Sequence, residues 1–149
     1  MTLRDNVLAM MAWAKQNERR FTPRGVHAEA LQSLLPWVQR VGAQTVLDCG
    51  SGERPGPLGE MLTEHGIHSI GIDLLDRAEV AGDVHGLPFR DVSFDLVLSR
   101  EGPEHFLIPY LAIAEMMRVS RGWLILCLPE DTLWCADSPG HLYVMGRQG

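Results

Sequence analysis

The stretch Val46-Leu47-Asp48-Cys49-Gly50-Ser51-Gly52 limits what this chain can fold into more than any other. Thr45 to Leu47 is a short apolar run of the kind a buried strand shows, and it stops at an acid. Two glycines follow at once, with Pro55, Gly56 and Pro57 close behind. Glycine permits a tight turn and lets backbone approach a ligand closely. A buried strand that runs through such a turn into a helix is a unit of parallel α/β sheets.

The rest of the chain repeats that alternation. Pro57 to His65 reads as a helix with Leu58, Met61, Leu62 and His65 on one face, closed by Gly66. Ser69 to Asp73 reads as a second strand, again ending in an acid, Glu79 to Val84 as a short third, and Phe94 to Ser99 as a fourth. Pro109 to Arg118 reads as a helix whose Tyr110, Ile113, Ala114 and Met117 share a face. Trp123 to Leu128 reads as a fifth strand, apolar without alternation, as a strand buried on both faces should be.

Upstream, Thr2 to Gln16 carries Leu3, Val7, Met10, Met11 and Ala14 at helical spacing. Thr22-Pro23 reads as a cap and first-turn proline, and Val26, Ala30 and Leu34 form one stripe. Pro36 is expected to kink or restart that helix before Trp37, Val38 and Val41. The expected fold is therefore α/β: a doubly wound, mostly parallel sheet of about five strands with helices on both faces and N-terminal helices. One domain is expected, with N-terminal helices over 1–43, the sheet over 44–129 and a tail over 130–149.

At 149 residues and 46% hydrophobic, the chain is long enough to bury a real core. Its net charge of −6 argues against coating nucleic acid, and no apolar run approaches the ~20 residues of a membrane helix. Met1 to Asn17 lacks a signal-peptide core, which leads to the expectation of a mature, cytoplasmic protein. Cys49, Cys127 and Cys135 make no disulfide framework and are expected as reduced, small core residues. No Cys-x-x-Cys or His-x-x-x-His is present, so no metal site is expected.

In parallel sheets, ligands bind beyond the carboxyl ends of the strands. Asp48, Asp73, Asp83, Ser99 and Arg100 all fall at or just past expected strand ends, so they gather on one edge. A dinucleotide loop needs a third glycine where Pro55 stands, which argues against an oxidoreductase. A phosphate-binding P-loop needs Gly-Lys-Ser/Thr, and neither glycine precedes a lysine. What remains is Asp-x-Gly-x-Gly. A carboxylate at the strand end disfavours pyrophosphate and favours a cationic or hydroxylated ligand.

These residues resemble the class I S-adenosylmethionine-dependent methyltransferases, in particular their "type 11" branch, whose sheet is Rossmann-like. Val46 to Gly52 resembles the first motif, and Ile70-Gly71-Ile72-Asp73 the second strand. Gly82-Asp83-Val84-His85-Gly86-Leu87-Pro88-Phe89 resembles the adenine segment, and Ser93 to Ser99 the fourth strand. Glu104-His105 with Ile113 to Val119 resembles the next helix, and Gly122 to Pro129 the fifth strand. The resemblance implies S-adenosylmethionine as cofactor, held by Asp48, Gly50, Ser51, Gly52, Asp73, Leu74, Asp83, Val84, Ser99 and Arg100. It implies that Asp73 holds the ribose hydroxyls, that Asp83 reads the adenine amino group, and that Asp48 lies near the methionine amino group. His105 is the candidate general base for an unidentified acceptor, its alternative being a polar helix-start residue.

The chain departs from the family pattern twice. The next family glycine is Arg54 here, and Glu53-Arg54-Pro55 lengthens the loop, with Gly56 standing for the displaced glycine. Arg54 is expected to point to solvent and pair with Glu53 or Glu60, the alternative being that it faces the pocket and pairs with the cofactor's carboxylate. Family members usually add a helix and an antiparallel hairpin after the fifth strand, whereas only residues 130–149 follow Pro129. A shortened or incomplete member is therefore expected, in which this tail or a dimer partner covers the fifth strand. The rival reading from another class is a cofactor-binding but inactive partner or regulatory domain.

Overall fold

A computed structural model describes residues 28–52 and 56–128. The helix expected at Thr2 to Gln16, the Thr22-Pro23 cap, Arg54 and the tail 130–149 lie outside the described residues. Five strands form one sheet: β1 (Thr45–Cys49), β2 (His68–Asp73), β3 (Val80–Ala81), β4 (Phe94–Arg100) and β5 (Ser120–Cys127). All pairings are parallel, in the order β3-β2-β1-β4-β5. The strand order reverses direction at β1, so the crevice for ligands opens between the carboxyl ends of β1 and β4.

Successive β1 residues point to opposite faces, and each face has its own core. Val46 packs with Leu34 and Val38 of α1 (Ala28–Arg40) and with Leu58, Met61 and Leu62 of α2 (Pro57–Glu64). Leu47 and Cys49 pack on the other side with Ala112, Met116 and Val119 of α3 (Pro109–Val119) and with Leu87 and Phe106 from the connecting loops. The expected doubly wound sheet with helices on both faces is thus the observed one. No helix among the described residues is long and apolar enough to cross a membrane.

Four local expectations need correction. α1 is one helix through Pro36, so it does not restart there. Pro36 and Gln32, whose carbonyl Pro36 leaves without its helical partner, both lie on the exposed side of the helix. The third strand is two residues long rather than Glu79 to Val84. The Glu79 carboxylate takes the Gly71 N–H at 2.6 Å, replacing a backbone rung, and the chain turns away at Asp83.

The face of α3 that packs on the sheet is Ala112, Met116 and Val119, while Tyr110 and Met117 are exposed. The helix is apolar on two sides, and its rotation is fixed by Glu115 and Arg118. Arg118 bonds Glu115, Asp91 and the carbonyls of Leu87 and Phe89, with all five N–H groups engaged. Finally, β5 is an edge strand among the described residues. It starts at Ser120 rather than Trp123, and Trp123 is 55% exposed rather than buried on both faces.

Candidate functional site

The glycine loop leaves β1 in a left-handed conformation, with φ of +83° at Gly50 and +73° at Gly52. L side chains rarely adopt that region, which explains both glycines. Gly56, by contrast, sits at φ −73° as the N-cap of α2, so no displaced left-handed glycine stands there. The loop folds back onto β2, with Gly50 N–H donating to the Ile72 carbonyl at 2.8 Å and Gly52 N–H to Asp73 Oδ2 at 2.9 Å. Asp73 Oδ1 accepts the Leu75 N–H at 3.0 Å. Each of its oxygens keeps a lone pair for a ligand. Leu74, half-buried, follows directly.

Ser51 lies under this turn. Its hydroxyl is buried and has no hydrogen-bond partner among the described residues. A Cβ on Gly71 would stand 2.5 Å from that hydroxyl oxygen, so the bare backbone of Gly71 makes the seat for Ser51. An orphaned buried hydroxyl beside two strand-end carboxylates is a place for a ligand group.

Asp48 is buried at the end of β1. Burial drives its carboxyl pKa up to about 7, the Arg100 cation opposes this, and Asp73 and Glu79 add to it. A cationic ligand group would relieve that strain. Burial likewise raises the Cys49 thiol, which is an inert core residue, as expected, and Cys127 is free and half-buried.

Asp83 sits two residues past β3. Its Oδ1 accepts the His85 backbone N–H at 2.9 Å and lies 2.6 Å from His85 Nδ1. Val84, placed beside the ligand by resemblance, is buried in the core that α3 covers. Ser99 is also a structural tie, its hydroxyl donating to the Cys49 carbonyl at 2.6 Å. That bond holds the mouth of β4 to the glycine loop, and Gly102 completes it, because a Cβ there would meet Ser99 Oγ at 2.6 Å.

Arg100 ends β4, 3.5 Å from the Glu101 carboxylate. Beyond it a short helical turn, Pro103–His105, holds Glu104 buried and His105 partly exposed, with Nε2 3.9 Å from Glu104 Oε1. Burial raises the Glu104 carboxyl pKa. The structure therefore brings the expected residues to one edge. It adds Gly71, Glu79, His85, Gly102 and Glu104; Gly71, His85 and Glu104 stood within the resembling segments without a role, and Glu79 and Gly102 carried no sequence signal.

Residues 47–126 match the model of a family described as "Methyltransferase domain". The chain belongs to this methyltransferase domain family. An uncharacterized methyltransferase of Mycobacterium sp. (strain KMS) is 34% identical over 112 residues, 67% of this chain and 43% of that protein. This methyltransferase domain thus spans less than half the length of the curated relatives it matches. A SAM-dependent methyltransferase from Archaeoglobus fulgidus superposes with a TM-score of 0.67 at 21% identity, covering 90% of this chain and 68% of that one. The Burkholderia thailandensis 1,6-didemethyltoxoflavin-N1-methyltransferase, solved with S-adenosylhomocysteine, gives 0.60 at 21%, covering 78% and 58%. At such identities these two likenesses speak for the fold alone.

Proposed function

We propose that this methyltransferase domain binds S-adenosylmethionine along the carboxyl edge of its sheet and transfers the methyl group to an acceptor beyond β4. One observation carries the reading. Carboxylates from β1, β2 and the turn after β3 line the edge around a left-handed glycine loop that holds a buried hydroxyl without a protein partner. Asp48 suits an ammonium group, because a cation there restores the charge that burial suppresses. Asp73 suits a diol, which donates two hydrogen bonds to one carboxylate. Asp83 suits an exocyclic amino group through Oδ2.

When bound, S-adenosylmethionine supplies an electrophilic methyl group on sulfur. The chain's contribution is positioning, since in-line transfer needs the acceptor atom about 3–3.5 Å from that carbon. Gly50 and Gly102 meet at the β1–β4 crevice, and His105, in the short turn after β4, is the candidate to take an acceptor proton. Calorimetric titration of the 149-residue chain with S-adenosylmethionine and S-adenosylhomocysteine tests the cofactor. A labelled-methyl screen over small-molecule and macromolecular acceptors tests the transfer. Saturable one-to-one binding with label incorporation is expected. Folded protein that binds neither compound would overturn the proposal, and binding without any transfer would favour the regulatory reading.

A further inference from the structure

His85 joins two parts of the site that the sequence keeps apart. Its side chain is only 7% exposed, and its ring meets Phe106 edge-on with centroids 6.1 Å apart. Nε2 accepts the backbone N–H of Ile108, the residue that caps α3, at 3.2 Å. An accepting Nε2 requires the neutral ring with its proton on Nδ1. That proton points at Asp83 Oδ1, 2.6 Å away, and the His85 backbone N–H adds a second donor to the same oxygen. Two donors on one oxygen thus hold the orientation of the carboxylate and leave its other oxygen open. Asp83 Oδ2 has no hydrogen-bond partner among the described residues and is the oxygen left for a ligand.

We infer that His85 is a positioning residue that holds Asp83 as a one-sided acceptor and so sets the preference of the site for adenine over hypoxanthine. The inference rests on the S-adenosylmethionine reading. Adenine presents an amino donor where hypoxanthine presents a carbonyl acceptor, so a carboxylate oxygen held toward that position accepts from the first and repels the second. The Ile108 bond has a separate role, tying the loop after β3 to the segment between β4 and α3.

Two substitutions separate the roles. His85→Asn retains an N–H at the Nδ1 position and loses the acceptor for Ile108. His85→Gln retains an acceptor near the Nε2 position and loses the donor to Asp83. Affinities for S-adenosylhomocysteine and S-inosylhomocysteine are measured by calorimetry on each folded variant. The wild type is expected to prefer the adenine compound by about tenfold or more. His85→Asn keeps that ratio within about threefold, and His85→Gln reduces it by about tenfold while melting close to the wild type.

Equal ratios in both variants, or equal loss in both, would overturn the inference, the second because it marks a merely structural role. Should His85→Gln fail to fold, Asp83→Asn carries the test. His85 then holds the amide oxygen inward and turns the NH₂ toward the base, so the adenine preference should fall by about tenfold. An unchanged preference overturns the inference. Wild-type protein that binds neither compound overturns the cofactor reading instead, leaving the two failures distinct.

Discussion

The Asp73 carboxylate accepts the Gly52 N–H at 2.9 Å, so the acid that ends β2 and the loop that leaves β1 hold each other in place. The same carboxylate takes the Leu75 N–H, which starts the turn toward β3. One side chain therefore shapes three segments of the site before any ligand arrives.

Asp73→Ala should lose both the loop and the ligand. A hydrogen bond to a charged group contributes about 1.5–3 kcal/mol, so cofactor affinity should fall by tenfold or more. Melting should also shift downward, because Gly52 and Leu75 N–H groups lose their acceptor. Calorimetry and a thermal melt check the two parts. Unchanged affinity in a folded variant would remove Asp73 from the site.

Gly71→Ala tests the seat under Ser51. The added Cβ would stand 2.5 Å from Ser51 Oγ and 2.8 Å from Ser51 Cβ, so the glycine loop has to move. Overpacking of this kind costs about 1–3 kcal/mol. The second substitution Ser51→Gly removes both clashing atoms and should restore part of the stability. Additive losses in the double variant, measured by denaturant unfolding, would show that the contact is not the cause.

Asp48, Asp73 and Asp83 were legible in the sequence because each ends or follows a short apolar run, and strand polarity puts all such ends on one edge. The sheet itself was legible for the same reason. His85 was not, because its partner Ile108 lies 23 residues away, beyond β4. The packed face of α3 was not either, since Tyr110 and Met117 carry as much apolar signal as Ala112 and Met116. The Glu115 and Arg118 contacts to the loop after β3 settle the rotation. The length of β3 depended on a side chain, Glu79, substituting for backbone, which no apolar pattern records.

Asp95 lies at the opposite end of the sheet and should govern acid stability rather than function. Its Oδ2 accepts the Thr45 hydroxyl and the backbone N–H groups of Thr45 and Gln44, and its Oδ1 meets Arg121 at 2.7 Å. These bonds, led by the Thr45 hydroxyl, pull its pKa down to about 2. The folded state then releases a proton that the unfolded chain still holds, so the stabilisation is full above about pH 4 and is lost as pH falls toward 2. With a quarter of the side chain exposed, the contribution is about 1 kcal/mol after solvent screening. Asp95→Asn should flatten this part of the acid-unfolding curve by that amount. A curve identical to the wild type would refute the assignment.

Asp48 should give the site a pH dependence of the opposite sense. Burial raises its pKa to about 7, so the folded protein holds a proton there that the unfolded chain releases near pH 4. Its stabilising contribution is full below about pH 4 and is lost as pH rises through about 7. Asp48→Asn should therefore raise the melting temperature of ligand-free protein at pH 8 and change it little at pH 4. Binding a methionine ammonium requires the ionised carboxylate, so affinity should climb about tenfold or more between pH 5.5 and 7.5. Asp48→Asn should weaken binding at pH 7.5 and remove the climb, because an amide stays neutral throughout. The measurement is calorimetric titration with S-adenosylhomocysteine across that range. A flat wild-type profile, with binding otherwise intact, would place the ammonium group away from Asp48.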